Sequence, residues 1–342
     1  METTDFAKHL TNFLTRYMAG ERNASPHTIC SYRDTFVQLI FFMKKVKKVG
    51  AQHLKLDSLT KETIVDFLDW IQQERNCGNA TRNYRLAAIH SFFCYLQYEC
   101  PEQIYQWQRV LSIKVQKHQK KNINYLTLEG IKLIFAQIDA THGNGRRNLA
   151  MLALMYDSGA RVQELIDLTP SAIRLEPPYI VKLLGKGRKE RIVPLQNEQV
   201  ALLKTYMQEN RLLELHHNQH PLFFNCWRRK LTRSGVNYIL KTYADMARKA
   251  DPALIPERIS CHVLRHSKAM HLLQAGVNLV YIRDILGHVS IQTTDVYARA
   301  DSKQKREALE KAYVNVIPET DREKHWEKDA PLMEWLKSLN KK

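Results

Sequence analysis

Six polar side chains in the second half of the chain have the types needed for phosphoryl transfer. Guanidinium groups can bind the non-bridging oxygens of a phosphate with paired hydrogen bonds. An ammonium group and imidazoles can move protons, and a phenol can attack phosphorus. On a strongly basic chain, this combination predicts an enzyme that joins itself covalently to DNA. The six residues are Arg161, Lys186, His262, Arg265, His288 and Tyr297.

The two arginines occupy positions suited to binding one phosphate. Arg161 follows the glycine-containing turn 158–160 and is expected to project from a helix start. Glu164, three residues later, shares that face and can hold the guanidinium, although an ordinary helix ion pair would look the same. Arg265 lies three residues after His262, so both share one helical face. The phosphate oxygens gain charge in a five-coordinate transition state, so both arginine contacts would strengthen as the reaction proceeds.

The lysine candidate lies at the predicted tip of a β-hairpin. Lys186 stands between Gly185 and Gly187, with Arg188 beside it. A lysine at such a tip can reach into the DNA minor groove and protonate a leaving alkoxide. Taken alone, a Gly-Lys-Gly sequence is equally typical of a solvated turn.

Tyr297 is the preferred nucleophile among the 15 tyrosines of the chain. It has small and polar neighbours and lies nine residues after His288; Tyr281 and Tyr313 are the competing candidates, and Tyr313 belongs to an apolar stripe typical of packing. A phenol with a pKa near 10 needs a proton acceptor and nearby positive charge before it attacks. We assign the acceptor role to His262, and expect His288 to hydrogen-bond the phosphate or orient the site.

Metal and nucleotide chemistry have weaker support. His262 and His266 have the spacing of a zinc-protease helix, but Val263 stands at the glutamate position. The histidines of segment 216–220 are interpreted as part of a solvated loop. The chain lacks the glycine-rich GxxxxGK[ST] sequence of a P-loop. We therefore expect neither a metal nor another cofactor.

The composition favours a large polyanion as partner. The 342 residues include 52 Lys and Arg against 35 Asp and Glu, which gives a formal charge of +17. Nucleic acid is the usual partner of such a chain, although a basic protein without a ligand is the alternative. Six cysteines without CxxC spacing are typical of reduced thiols, and the sequence shows no export signal or membrane-length apolar run. We expect a cytoplasmic protein.

The pattern of apolar residues predicts two domains, mainly α-helical, with a small β-hairpin in the second. Residues 1–111 contain helical stripes only, and residues 125–317 form the second domain with the hairpin. Residues 318–342 form a charged tail that contains a short amphipathic helix. The segment 112–124 is interpreted as an exposed basic linker able to lie along phosphates, with an unliganded loop as the alternative. Its lysines are Lys114, Lys117, Lys120 and Lys121.

These motifs together resemble the tyrosine recombinases of the phage integrase family, and within it the Xer-like and mobile-element integrases. The resemblance covers about residues 127–317 and rests on five motifs in a fixed order. They are Ser158-Gly-Ala-Arg161-Val-Gln-Glu164-Leu, Gly185-Lys186-Gly-Arg-Lys-Glu-Arg191, His262-Val-Leu-Arg265-His-Ser, Leu286-Gly-His288 and the later Tyr297.

The resemblance implies a two-domain, C-shaped clamp around duplex DNA, with residues 1–111 as the SAM-like core-binding domain. Tyr297 would form a 3′-phosphotyrosine at a specific recombination site, and four protomers would exchange strands through a Holliday junction. Arg233 would contact the DNA backbone. A last helix with a stripe through Leu309 and Tyr313 would dock on a neighbouring protomer.

Two other functions use overlapping chemistry. A type IB topoisomerase would relax DNA as a monomer without sequence preference, and a recombinase-derived regulator would bind DNA without cutting it. The target sequence stays open, as does the choice between integration, excision, resolution and transposition, because base specificity depends on contacts and DNA shape.

Overall fold

The chain divides into two compact units, residues 1–121 and 122–342, in the computed structural model. The structure describes residues 3–118, 123–185, 187, 189–288, 290–300 and 330–338. Each unit has an apolar core of its own. Two independent cores agree with the two domains that the sequence predicts.

Helices alone make up the described part of the first unit. A π-helical stretch, Phe13–Glu21, and three 3-10 turns, Ala51–His53, Leu56–Ser58 and Pro101–Gln103, connect or extend them. Ser25 caps α2, because its hydroxyl accepts a hydrogen bond of 3.2 Å from the Thr28 amide. The α-helices are α1 Asp5–Asn12, α2 Pro26–Lys45, α3 Lys61–Arg75, α4 Asn79–Glu99 and α5 Ile104–Leu111.

Aromatic rings fill the centre of the first unit. The centroid of the Phe92 ring lies 5.1 Å from that of Phe36 and 5.2 Å from that of Phe13. The buried Trp107 indole donates a hydrogen bond of 2.9 Å to the Cys100 carbonyl, so its polar atom is satisfied within the core. The helical stripes predicted from the sequence are confirmed as packing surfaces.

The beginning of the segment predicted to be a linker is attached to α4. The Asn79 amide donates to the Lys117 carbonyl at 2.8 Å, and Asn83 exchanges hydrogen bonds of 2.8 and 3.0 Å with the backbone of Gln116. Ile113 is buried in the first core. Residues 112–118 are therefore ordered against the first unit, while the side chains of Lys114 and Lys117 stay exposed as predicted.

The second unit is helical around a small antiparallel sheet. Strand β2 pairs with both of its neighbours in the order β1-β2-β3, and Val181 lies opposite Ile173 and Val193. The hairpin formed by β2 and β3 confirms the sequence prediction, whereas β1, two residues long, was not predicted. The strands are β1 Ile173–Arg174, β2 Ile180–Leu184 and β3 Glu190–Pro194.

A largely buried helix of the second unit packs against at least three of its neighbours. This helix, α7, carries Met151, Leu154 and Met155 fully buried, and Gly159 ends it. Two 3-10 turns, Pro170–Ala172 and Leu215–His217, complete the described elements. The helices are α6 Leu128–Ala136, α7 Gly143–Ser158, α8 Val162–Ile166, α9 Asn197–Glu209, α10 Arg233–Ala250, α11 Cys261–Gln274, α12 Leu279–Leu286, α13 Ile291–Ala300 and α14 Ala330–Ser338.

A small separate apolar cluster underlies α12 and α13. Met270 of α11 and Ile282 of α12 pack there with the ring of Tyr297. Along the described ranges, every helix is too short or too polar to cross a lipid bilayer. The cluster fixes α13, and with it the candidate nucleophile, against α11.

Candidate active site

Two left-handed glycines turn the chain at the helix ends that lead into the site. Gly159 ends α7 with φ 58°, and Gly287 ends α12 with φ 64°, a conformation that other residues rarely adopt. Arg161 and His288 follow these turns and line one pocket of about 440 Å³. The two turns therefore bring residues from distant parts of the sequence to one surface.

Arg161 is held by a buried carboxylate, as the sequence predicts. Its Nη1 lies 2.7 Å from Oε1 of Glu164, and its backbone amide donates to Oε2 at 2.8 Å. Arg191, which the sequence analysis did not select, donates to the same carboxylate at 2.9 and 2.7 Å. Burial alone would raise the pKa of Glu164, but the two arginines outweigh it and the net pKa is lowered. Two guanidinium groups share one carboxylate, which leaves net positive charge for an anion.

Arg265 is almost completely buried and is fixed by main-chain carbonyls. Its Nη1 and Nη2 each donate a hydrogen bond of 2.6 Å, to the carbonyls of Gly159 and Leu286. Burial and the positive charge of Arg161 lower the pKa of Arg265 to about 9, so it still carries its charge at neutral pH. Both carbonyls belong to helix C-terminal ends, where partial negative charge favours a cation. The guanidinium is thus rigid without being neutralised by a bonded carboxylate.

Tyr297 lies on α13 with 2% of its surface exposed. Its hydroxyl is 2.8 Å from Nδ1 of His266. Its ring is nearly parallel to that of His288, with an angle of 8° and centroids 6.3 Å apart. Burial raises the pKa of the phenol, and Arg265 and Arg161 oppose this rise. The phenol is therefore protonated at neutral pH and has a hydrogen-bond partner.

His288 is positioned by a threonine of α13. Its Nδ1 lies 2.9 Å from Oγ1 of Thr294, which is fully buried. Burial and the charges of Arg265 and Arg161 lower the pKa of His288 to about 4. The imidazole is neutral at physiological pH, so it can exchange hydrogen bonds with a phosphate without adding charge.

His262, the predicted proton acceptor, lies one helical turn before His266 and keeps an exposed side chain. Its pKa is lowered by partial burial and by Arg265 and Arg161. The centroid of its ring is 6.3 Å from that of His266, the residue that is bonded to the phenol. From the sequence, His266 is a candidate only for a metal ligand. His262 and His266 are four residues apart and therefore share one face of α11. This spacing was the feature of the sequence that could have indicated a role for His266 beside His262.

Of the other predicted residues, the structure describes Arg233. Arg233 begins α10 and is exposed. Gly185 and Lys189, the described neighbours of the predicted lysine, line the pocket with Arg161. The tip residues Lys186 and Arg188, the linker residues Lys120 and Lys121, and Leu309 and Tyr313 all lie outside the described residues.

The histidine loop after α9 brings possible metal ligands close together. Ligand atoms of Glu214, His216 and His217 lie within 4.8 Å of one another. Glu214 is 3.2 Å from His216, and His217 Nδ1 is 2.8 Å from the Arg211 carbonyl. These contacts account for the grouping as polar interactions on an exposed surface, in line with the predicted solvated loop.

Comparison with known proteins identifies the family. The model of the phage integrase family matches residues 124–304, and that of the phage integrase N-terminal SAM-like domain matches residues 11–99. The chain belongs to the phage integrase family. It is 34% identical to the putative integrase/recombinase y4rC of Sinorhizobium fredii, over 96% of the chain and 97% of that protein. It is 30% identical to the tyrosine recombinase XerC of Pelotomaculum thermopropionicum, over 89% of the chain and 97% of that protein.

Solved structures of the integrase family share the fold. The XerH site-specific recombinase bound to a palindromic difH substrate has a TM-score of 0.68 at 23% identity, covering 86% of this chain and 82% of that one. The Tn1549 transposon integrase bound to transposon right end DNA has a TM-score of 0.66 at 16% identity, covering 88% and 98%. The predicted fold class, mainly helical with a small sheet, is confirmed. So is the prediction that this integrase is an enzyme of the tyrosine recombinase type.

Proposed function

We propose that this integrase cuts and rejoins duplex DNA at specific sites through a 3′-phosphotyrosine formed by Tyr297. The observation that carries the proposal is the position of the buried Tyr297 phenol beside Arg265 and His288. In this position a nucleophile, a fixed cation and a neutral imidazole meet at one surface. The solved structures of similar fold are complexes, XerH with its difH substrate and the Tn1549 integrase with transposon right end DNA, which supports DNA as the partner.

Arg161 and Arg265 would bind the scissile phosphate. Each is fixed before DNA arrives, Arg161 by Glu164 and Arg265 by two carbonyls. Preorganised cations stabilise the charge that develops on the non-bridging oxygens without reorganising during the reaction. His262 and His288 would complete the phosphate site with hydrogen bonds.

Lys186 would supply the proton for the leaving 5′-oxygen. The neighbouring Gly185 and Lys189 border the pocket beside Arg161, which supports this role for Lys186. Release of a 5′-hydroxyl keeps the energy of the phosphodiester in the phosphotyrosine bond. Attack by another 5′-hydroxyl then reseals the strand, so the cycle needs no nucleotide hydrolysis.

The complete reaction would take place in a tetramer on two DNA sites, through a Holliday junction. Docking of a C-terminal helix on a neighbouring protomer would join the four chains. In the described part of the C-terminal region, α14 exposes Trp335 and Leu336. Exposed apolar side chains on a short helix are suited to such a contact.

The test is covalent capture of DNA. Wild-type protein is incubated with a pool of nicked duplexes that contain a random segment, and DNA attached to protein is recovered from denaturing gels. We expect attachment, its loss in Tyr297→Phe, and its retention in Tyr281→Phe, which alters an exposed tyrosine of α12. Attachment that persists in Tyr297→Phe would refute the nucleophile. Relaxation of supercoiled plasmid without sequence preference would instead indicate a topoisomerase.

A further inference from the structure

His266 makes the direct contact with the atom that must lose a proton. Its Nδ1 is 2.8 Å from the Tyr297 hydroxyl, a normal length for a hydrogen bond. The centroids of the two rings are 5.7 Å apart with an angle of 54°, so the contact is not a stack. His266 is held on α11 between Arg265 and Ser267, and Ser267 is buried and accepts a hydrogen bond of 2.8 Å from the Leu126 amide. The imidazole thus stands on a rigid part of the second unit.

The neighbouring histidines are poorly placed for the same task. The ring centroid of His288 lies 6.3 Å from that of Tyr297, farther than the 5.7 Å between the ring centroids of His266 and Tyr297. Nδ1 of His288 is bonded to Thr294. His262 lies one turn away along α11 and is exposed. It is therefore free to face a phosphate.

We propose that His266 is the catalytic base that takes the phenolic proton of Tyr297 during DNA cleavage. The inference rests on the proposed recombinase function and adds a residue to it. In the forward step the Tyr297 oxygen bonds to phosphorus, the bond from phosphorus to the 5′-oxygen breaks, and the phenolic proton passes to Nδ1 of His266. Lys186 gives its proton to the 5′-oxygen. During rejoining both protons return, so charge and atoms balance in each direction.

The electrostatic surroundings agree with this role. Burial and the nearby His262 and Arg265 lower the pKa of His266, which keeps the imidazole neutral and its lone pair available. Transfer of the proton leaves a phenolate beside Arg265 and Arg161, whose charges favour the anion. The residue that accepts the phenolic proton, His266, is therefore different from the residues that stabilise the phenolate, Arg265 and Arg161.

A first experiment compares His266→Asn with wild type on a nicked duplex obtained by covalent capture. The asparagine oxygen can replace Nδ1 as hydrogen-bond acceptor for the phenol, but it cannot hold a proton. We expect cleavage at least about 100-fold slower, a typical contribution of a general base, with unchanged DNA affinity in gel shifts and an unchanged melting temperature. Wild-type cleavage by His266→Asn would reduce His266 to a positioning residue and overturn the proposal.

A second experiment separates the base from the acid. A substrate with sulfur in place of the scissile 5′-oxygen has a leaving group that needs no proton. It should restore cleavage by Lys186→Ala and leave His266→Asn slow. Full rescue of His266→Asn would assign His266 to the leaving group and refute the inference. If wild type forms no covalent complex, the recombinase function fails and the proposal fails with it.

The tautomer of His266 can be measured in the wild-type chain, which avoids any variant that folds poorly. In protein labelled with ¹⁵N-histidine, His266 should show an unprotonated, hydrogen-bonded Nδ1 and a protonated Nε2 at neutral pH. A proton on Nδ1 would make His266 the donor to the phenol. That result would contradict its role as base in the resting enzyme.

Discussion

Glu164 and Arg191 form a two-point ion pair beneath the candidate active site. Nη1 of Arg191 lies 2.9 Å from Oε1, and Nη2 lies 2.7 Å from Oε2. Only 9% of the Arg191 side chain and 3% of the Glu164 side chain are exposed. Arg191 also donates to the Ile285 carbonyl near the end of α12, at 2.9 Å. The pair therefore joins β3 to α8, which begins just after Arg161, and to α12, which ends just before His288.

Removal of the Glu164 charge should destabilise the second unit. Glu164→Gln leaves the buried Arg191 without a counter-ion, a change that typically costs about 3–5 kcal/mol. Urea unfolding followed by circular dichroism measures the loss. Asp34→Asn is the matched control, because it removes one carboxylate from the exposed pair with Arg33 and should change the free energy of unfolding far less. Equal effects of both variants would contradict a structural role for the buried pair.

The contribution of Glu164 should also depend on pH. Its pKa in the folded chain is below the ordinary value of 4.5, although burial opposes this, because Arg191 and Arg161 favour the carboxylate. The stabilisation is therefore fully present above the unfolded-state pKa and is lost as the pH falls through the folded-state pKa. The difference in unfolding free energy between wild type and Glu164→Gln should be roughly constant from about pH 6 to 8 and should shrink below about pH 4. The shift in urea midpoint between the two proteins, measured at each pH, reports this difference. A difference that grows on acidification would contradict the sign of the pKa shift.

Local sequence patterns predicted the elements of the fold and part of the site. Ser25 and Gly159 mark helix ends through chemistry that one or two neighbours reveal, and Glu164 lies within one turn of Arg161. Arg191 and His266 were missed because their partners are 27 and 31 residues away in sequence. Such pairs form only when helices pack, and periodicity contains no information on them.

Dependence on partners that are distant in sequence also explains where the observed fold differs from the predicted one. Strand β1 has two residues, too few for an alternating pattern, and it exists because β2 offers it hydrogen bonds. The attachment of segment 112–118 depends on Asn79 and Asn83, which lie on α4 more than 30 residues earlier, at separations of 38 and 33. A basic segment with little apolar periodicity can therefore still be ordered by side chains from elsewhere.

Gly159 should be required for both stability and cleavage. A Cβ at this position would lie 2.7 Å from Cδ2 of Leu286, and the φ of 58° is itself strained for alanine. Gly159→Ala should cost about 1–3 kcal/mol and displace the carbonyl that binds Arg265, so covalent attachment should slow as well. Gly143→Ala, at the other end of α7, meets no atom within 4 Å and is the control. Thermal unfolding and the capture assay measure the two effects, and a Gly159→Ala protein that behaves like this control would contradict the argument.

Arg265→Lys should separate catalysis from DNA binding. A lysine cannot reproduce the two hydrogen bonds of 2.6 Å to Gly159 and Leu286, so its charge would not be held toward the phosphate. Covalent attachment should slow by about 100-fold or more, with a much smaller change in affinity for duplex DNA. Arg258→Lys, an exposed change just before α11, should leave both unchanged. A loss of affinity as large as the loss of cleavage would mean that Arg265 acts mainly in binding.

Lys114 and Lys117 should contribute to DNA affinity through phosphate contacts. Both are exposed on a segment that Asn79 and Asn83 hold in place, so their charges are presented at fixed positions. Each phosphate contact adds about 0.9 to the slope of log affinity against log salt, and replacing both lysines by alanine should lower that slope by roughly twice this amount. The pair Lys44 and Lys45, at the end of α2, gives a control with the same change in charge. Fluorescence anisotropy with a labelled duplex at several salt concentrations measures the slopes. Equal slopes for the two double variants would show that net charge alone, and not the position of segment 112–118, determines binding.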